Sequence, residues 1–175
     1  MIVGESQIQE TIQKTQQQTT QQKQEIHLIG HLQTNKINKA IHLYDVIQTI
    51  DTIRLCKKLN QAAKKNKKKQ KIFLQVNISN SKNQKGFSVK ELYGAAKQIS
   101  LYSNIQLLGL MGIGTNTKQN AKIEKGFKEL KKQQEYIYKN INQNTQFLSI
   151  GMSNDYIIAL QQGATHIRIG TLLYA

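Results

Sequence analysis

Apolar residues in this chain come in short bursts separated by longer polar stretches with helical spacing. The strongest burst is Ile72-Phe73-Leu74-Gln75-Val76-Asn77-Ile78. A run that is apolar on both faces predicts a strand of a parallel sheet covered on both sides. Weaker bursts predict further strands at Ile26–Leu32, Asp45–Ile50, Gln106–Ile113, Phe147–Ile150 and His166–Ile169, and Val3–Gln7 reads as a strand end running into a helix. Between them the period changes to that of a helix. Lys36–Tyr44 places Ile37, Ala40 and Ile41 on one face, and a helix opened by Asp51 places Ile53, Cys56, Leu59 and Ala63 together. Ser88 with Glu91 is a capping box ahead of Val89, Leu92, Ala96 and Ile99. A long helix then turns Ile123, Phe127, Leu130 and Ile137 inward and its lysines outward. The last helix is short, Ile157 to Leu160, with Ser153, Asn154 and Asp155 as cap-type residues before it and Gly163 as a left-handed stop after it.

Strand and helix alternate regularly, which implies a parallel α/β sheet. Periodicity alone does not choose between an open doubly wound sheet and a closed barrel. The strand at Phe147 breaks at Gly151, and the last one ends at Gly170-Thr171. Small polar residues at such ends expose backbone N–H groups, which hold phosphate well.

Two stretches fit this scheme less well. Ser6 and Gln9 have capping-box spacing, but the Gln/Thr tract from Thr11 to Gln24 has little apolar periodicity and reads as an eroded surface helix. His27 and His31 are four apart, a metal-pair spacing on a helix. On a strand they lie roughly 13 Å apart and cannot share an ion.

At 175 residues the length fits one domain with a real core. Hydrophobic content of 38% and a mean hydropathy of −0.52 describe a polar chain. The single cysteine, Cys56, excludes an internal disulfide, fits a reducing compartment and reads as an inert buried thiol. No apolar run approaches the roughly 20 residues that span a bilayer, and Met1-Ile2-Val3-Gly4 lacks the basic and apolar regions of a signal peptide. The expected location is the cytoplasm or an organelle stroma. Enrichment in Lys, Asn, Ile and Gln with no Pro or Trp points to an A/T-biased genome such as a plastid's. The net charge of +15 raises nucleic-acid binding as a reading. Its densest part, Lys57-Lys58, Lys64-Lys65 and Lys67-Lys68-Lys69, has no interleaved aromatics and no arginine cluster, so a solvated surface at the bottom of an alternating fold is preferred.

Five segments, in order and covering nearly the whole chain, carry a resemblance: Gly4-Glu5-Ser6-Gln7-Ile8-Gln9-Glu10; Ile26 to Lys36; Gln75-Val76-Asn77-Ile78-Ser79 with Lys85-Gly86-Phe87; Leu108-Gly109-Leu110-Met111; and Gln146 to Tyr156 with Gly163 to Thr171. Together they resemble the pyridoxal phosphate homeostasis family, whose fold is that of the alanine racemase N-terminal barrel. The resemblance implies an eight-stranded (β/α) TIM barrel in a single domain over residues 1–175. It also implies a first strand, ahead of Val3 and not in this sequence, bearing the lysine that joins the cofactor. A barrel without its first strand has two unpaired edges and an open core slot. An upstream start and a decaying copy are together preferred over another element filling that slot.

By the same resemblance, Arg168 faces the pyridine nitrogen of pyridoxal 5'-phosphate (PLP). Gly170 and Thr171 form the phosphate cradle, helped by Ser153 and Ser149. Ser6 stands where the family has Asn, and Lys85 is a candidate for a phosphate or aldehyde contact. Arginine only donates, so it keeps the ring nitrogen unprotonated and weakens the ring as an electron sink. The expectation is a monomeric, non-catalytic PLP carrier that buffers the free cofactor and serves PLP-dependent apoenzymes, with no metal and no membrane. Covalent attachment is doubtful without the family's lysine. Two alternatives stand beside it: an amino-acid racemase, which requires that lysine and a tyrosine from a second domain, and a basic nucleic-acid-binding protein.

Overall fold

All seven apolar bursts form strands. In the computed structural model, which describes residues 2–17, 24–79, 81, 83–115, 117 and 119–170, they are β1 (Ile2–Glu5), β2 (Glu25–Leu28), β3 (Val46–Ile50), β4 (Gln70–Val76), β5 (Ile105–Gly112), β6 (Phe147–Met152) and β7 (His166–Arg168). Every neighbouring pair is parallel and the sheet order is the chain order. Helices α1 (Ile8–Gln17), α2 (Ile37–Leu43), α3 (Ile53–Lys65), α4 (Val89–Ser100), α5 (Asn120–Asn140) and α6 (Tyr156–Gln161) fill the crossovers.

The sheet is rolled into a nearly closed barrel. The imidazoles of His27 on β2 and His166 on β7 lie 5.8 Å apart between ring centroids, although their strands are at opposite ends of the order. Ser149 on β6 bonds Gln48 on β3 at 2.6 Å, which a flat sheet forbids. Among the described residues β1 and β7 are not paired with each other, which leaves a gap in the barrel wall between them.

Two apolar layers follow from strand alternation. Ile47, Ile72, Leu74, Leu110, Leu148 and Ile150 face the helices in the main core. Val46, Phe73 and Met111, with Leu108, Ile113 and Phe147, fill the lumen. The β4–β5 register shifts between Ile72 and Phe73, bringing Gly109 opposite Phe73. A Cβ on Gly109 would lie 2.2 Å from the Phe147 carbonyl oxygen, so β6 approaches β5 this closely only over a glycine.

Several local expectations are corrected. Thr52, not Asp51, caps α3, its Oγ1 accepting from Leu55 N at 3.2 Å. Asp51 instead sits 3.5 Å from His31. Gly151 does not end β6 but lies within it at φ +90°, beside a register shift between Ser149 and Met152. Gly163 is left-handed, at φ +80°, as expected. The start of the Gln/Thr tract is anchored rather than eroded: Thr11 on α1 is buried and its Oγ1 lies 2.7 Å from Tyr44 Oη. Residues 18–23 of that tract lie outside the described residues. The lysine run is not wholly solvated either. Lys68 Nζ donates to Ile41 O at 2.7 Å and Tyr44 O at 2.9 Å, closing carbonyls at the end of α2. Cys56 is fully buried, and burial pushes its thiol up to about 12.

Candidate functional site

The gap between β1 and β7 opens into a cavity of about 830 Å³. Alternate residues of β1 and its exit, Ile2, Gly4 and Ser6, line one wall, and His166, Arg168 and Gly170 line the other. His27, Gln48 and Met111 form the back, and Met152, Ser153 and Asn154 the rim. In a parallel barrel this rim belongs to the C-terminal ends of the strands, the end on which ligands are held.

Arg168 is the cavity's fixed cation. Its Nη1 donates to Ser149 O at 3.1 Å and Ser149 Oγ at 2.9 Å, and its Nη2 donates to Gly112 O at 2.9 Å. Its Nε–H and a second Nη2–H are left uncommitted among the described residues. Burial lowers the guanidinium to about 10, and the nearby charge of Asp155 opposes the shift. It stays protonated at neutral pH.

The other expected residues divide into two groups. Ser6, Ser153 and Gly170 line the cavity together with Arg168. Ser6 is held there by contact, because a Cβ on Gly30 would lie 1.9 Å from the Ser6 carbonyl oxygen. A Cβ on Gly170 would meet nothing within 4 Å among the described residues. Ser149 and Lys85 are placed elsewhere. The Ser149 hydroxyl is fully buried behind Arg168 and committed to Gln48 and Arg168, so it has no capacity left for a phosphate. Lys85 is exposed and does not line the cavity, and it is its carbonyl that bonds inward, accepting from Gln75 Nε2 at 3.0 Å. Thr171 lies outside the described residues.

Three lumen residues escaped the sequence reading as site components: Gln48, His27 and His166. Gln48 had a visible signal, a polar residue in the apolar strand Val46–Ile50 that is only 2% exposed. Its Nε2 lies 2.8 Å from His27 Nδ1. His27 Nε2 is buried and makes no regular hydrogen bond among the described residues, with the Glu25 carboxylate near it at 3.4 Å. Burial holds the His27 imidazole below its ordinary value of 6.5, against the raising effect of Glu25. His166 is also lowered, first by burial and then by His27. Its ring packs edge-on against Phe73 and Phe147 at 5.5 and 5.4 Å.

Chemically, the cavity offers a cation with spare donors, an apolar back and a polar rim. No lysine, tyrosine or carboxylate lines it among the described residues. Comparison with known proteins supplies the lineage. The family described as alanine racemase, N-terminal domain, matches residues 2–175. The pyridoxal phosphate homeostasis protein of Haemophilus influenzae is 32% identical over 173 residues, covering 98% of this chain and 73% of that protein. PipY of Synechococcus elongatus, solved without and with PLP bound, gives TM-scores of 0.93 and 0.89 at 31% and 30% identity, covering 98% of this chain and 80% of PipY in both. Alanine racemase of Clostridium difficile, at 14% identity and a TM-score of 0.79 over 99% of this chain and 44% of the racemase, shares the fold. A barrel of this topology, matched over its full span at this identity, belongs to the alanine racemase N-terminal domain family and, within it, to the pyridoxal phosphate homeostasis proteins.

Proposed function

We propose that this chain binds PLP non-covalently in the cavity between β1 and β7 and buffers the free cofactor without turning substrate over. The observation that carries this reading is Arg168, which lines the cavity and is anchored on Gly112 and Ser149 with N–H donors to spare among the described residues. A pyridine nitrogen is an acceptor that suits those donors. Met111, Ile113 and Ile29 offer the ring an apolar bed, and Ser153, Asn154 and Gly170 offer the phosphate hydroxyl and backbone donors at the rim. The volume is ample for the cofactor.

Bound PLP supplies an electrophilic aldehyde and a ring able to accept electrons when its nitrogen is protonated. Arg168 donates and does not yield a proton, so it holds the ring nitrogen unprotonated and discourages racemase-type chemistry. With no lysine on the cavity wall, the aldehyde has no amine to meet among the described residues. A ligand held without a covalent bond in an open-sided slot is free to leave, which suits delivery to apoenzymes by a single soluble chain in a cytoplasm or stroma.

The test is a titration with PLP, followed by borohydride reduction and intact mass, with phosphate-free pyridoxal as the comparison. Saturable PLP binding, at least about tenfold weaker binding of pyridoxal and an unchanged mass are expected. Absence of saturable binding would overturn the reading, and a lysine adduct would overturn its non-covalent form.

A further inference from the structure

We propose that Gln48 is the positioning residue for Arg168: acting through Ser149, it fixes the direction in which the guanidinium faces and, at its other end, which nitrogen of His27 carries the proton. The inference rests on the direction of a buried polar chain that crosses the lumen from β7 to β6 to β3 to β2.

Only one end of that chain has an unambiguous polarity. A guanidinium donates and never accepts. Ser149 Oγ is therefore the acceptor from Arg168 Nη1 at 2.9 Å. The hydroxyl's own hydrogen then goes to Gln48 Oε1 at 2.6 Å. With the amide oxygen so placed, Gln48 Nε2 faces His27 Nδ1 at 2.8 Å and donates to it. His27 Nδ1 must present a lone pair, so the ring's proton sits on Nε2, the atom 3.4 Å from Glu25 Oε1. Each link dictates the next. Gln48, Ser149 and His27 are at most 2% exposed, so these links are made between protein groups in a site with little solvent contact.

Gln48 is the link that matters because its amide joins the two halves of the chain, presenting its acceptor to Ser149 and its donor to His27. Removing it takes away the acceptor that fixes the Ser149 hydroxyl, so the oxygen's lone pair is no longer held on the guanidinium, and leaves His27 Nδ1 without its donor. The charged and titratable groups acting on His27 are Glu25 on β2, Asp45 before β3, Lys71 on β4 and His166 on β7. They bias its total charge. Gln48 selects the tautomer.

The test uses the full chain labelled with ¹⁵N, reading the imidazole nitrogens of His27 without any cofactor. Wild type is expected to show an unprotonated Nδ1 and a protonated Nε2. Gln48→Glu keeps an acceptor for Ser149 but presents only acceptors to His27, so its Nδ1 gains a proton. Gln48→Leu offers neither group and yields a tautomer mixture. A binding arm rests on the PLP reading above: Gln48→Leu lowers PLP affinity roughly tenfold, while Gln48→Glu retains more of it. A protonated Nδ1 in wild type, or an unchanged tautomer in both variants, would overturn the relay. The expected tautomers with no PLP binding in wild type would support the relay and sink the PLP reading instead.

Discussion

His27 and His166 place two imidazoles 5.8 Å apart in a lumen that already holds a guanidinium. Burial lowers both below 6.5. As pH falls under 6.5, the unfolded chain therefore binds protons that the folded chain refuses, and stability drops through the folded values. Above 6.5 this contribution is fully present. Tm, followed by calorimetry across that range, is expected to decline from about 6.5 downward, and a His27→Gln/His166→Gln double variant to flatten the slope. An identical slope in the variant would assign acid sensitivity to other groups. These residues also mark where the sequence stopped speaking. Arg168 was singled out through the family resemblance, and the structure places it on the cavity wall. His27 was weighed only as a metal partner of His31. Alternation says which residues point inward, but not which of them meet across a lumen, and that meeting gives Gln48, Ser149 and His27 their roles.

Helix ends were legible where the signal is reciprocal and ambiguous where it is not. Ser88 and Glu91 identify each other, and both halves of their box form. Asp51 and Thr52 are both cap-type residues, and composition cannot rank neighbours. Backbone conformation does: Thr52 is extended, at φ −148° and ψ 149°, with its hydroxyl over Leu55 N, while Asp51 is drawn to His31. Thr52→Ala is expected to cost about 1 kcal/mol in urea unfolding, and Thr52→Ser to retain most of that. Equal stability of the alanine and serine variants would mean the hydroxyl contributes nothing as a cap. Gly151 shows a related limit. Glycine was read as a strand break, yet here its positive φ carries β6 past a register shift, with a Cβ at that point only 2.5 Å from Ala159 Cβ. The residue type signals unusual backbone without saying whether the strand stops or bends.

At the scale of the whole molecule, alternation made the seven strands and their parallel sense readable, whereas closure came only through the family resemblance, since an open and a rolled sheet share one alternation. Rolling is visible only in contacts such as Gln48 to Ser149. It leaves an unequal sheet. β4 and β5 have seven and eight residues, a neighbour on each side and nearly continuous burial. β1 and β7 have four and three residues, are only partly buried and have one partner each among the described residues. Their amides open by local separation, whereas those of the centre require global unfolding. Hydrogen exchange is expected to be slowest in β4 and β5 and faster in β1 and β7 by on the order of a hundredfold or more. Both gap strands line the cavity, so an occupant bridging Ser6 and Arg168 slows their exchange before it affects β4. Saturating PLP is therefore expected to add protection first at Gly4–Ser6 and His166–Gly170. Uniform protection across all strands would instead signal binding that stabilises the fold as a whole without joining the two sides of the gap.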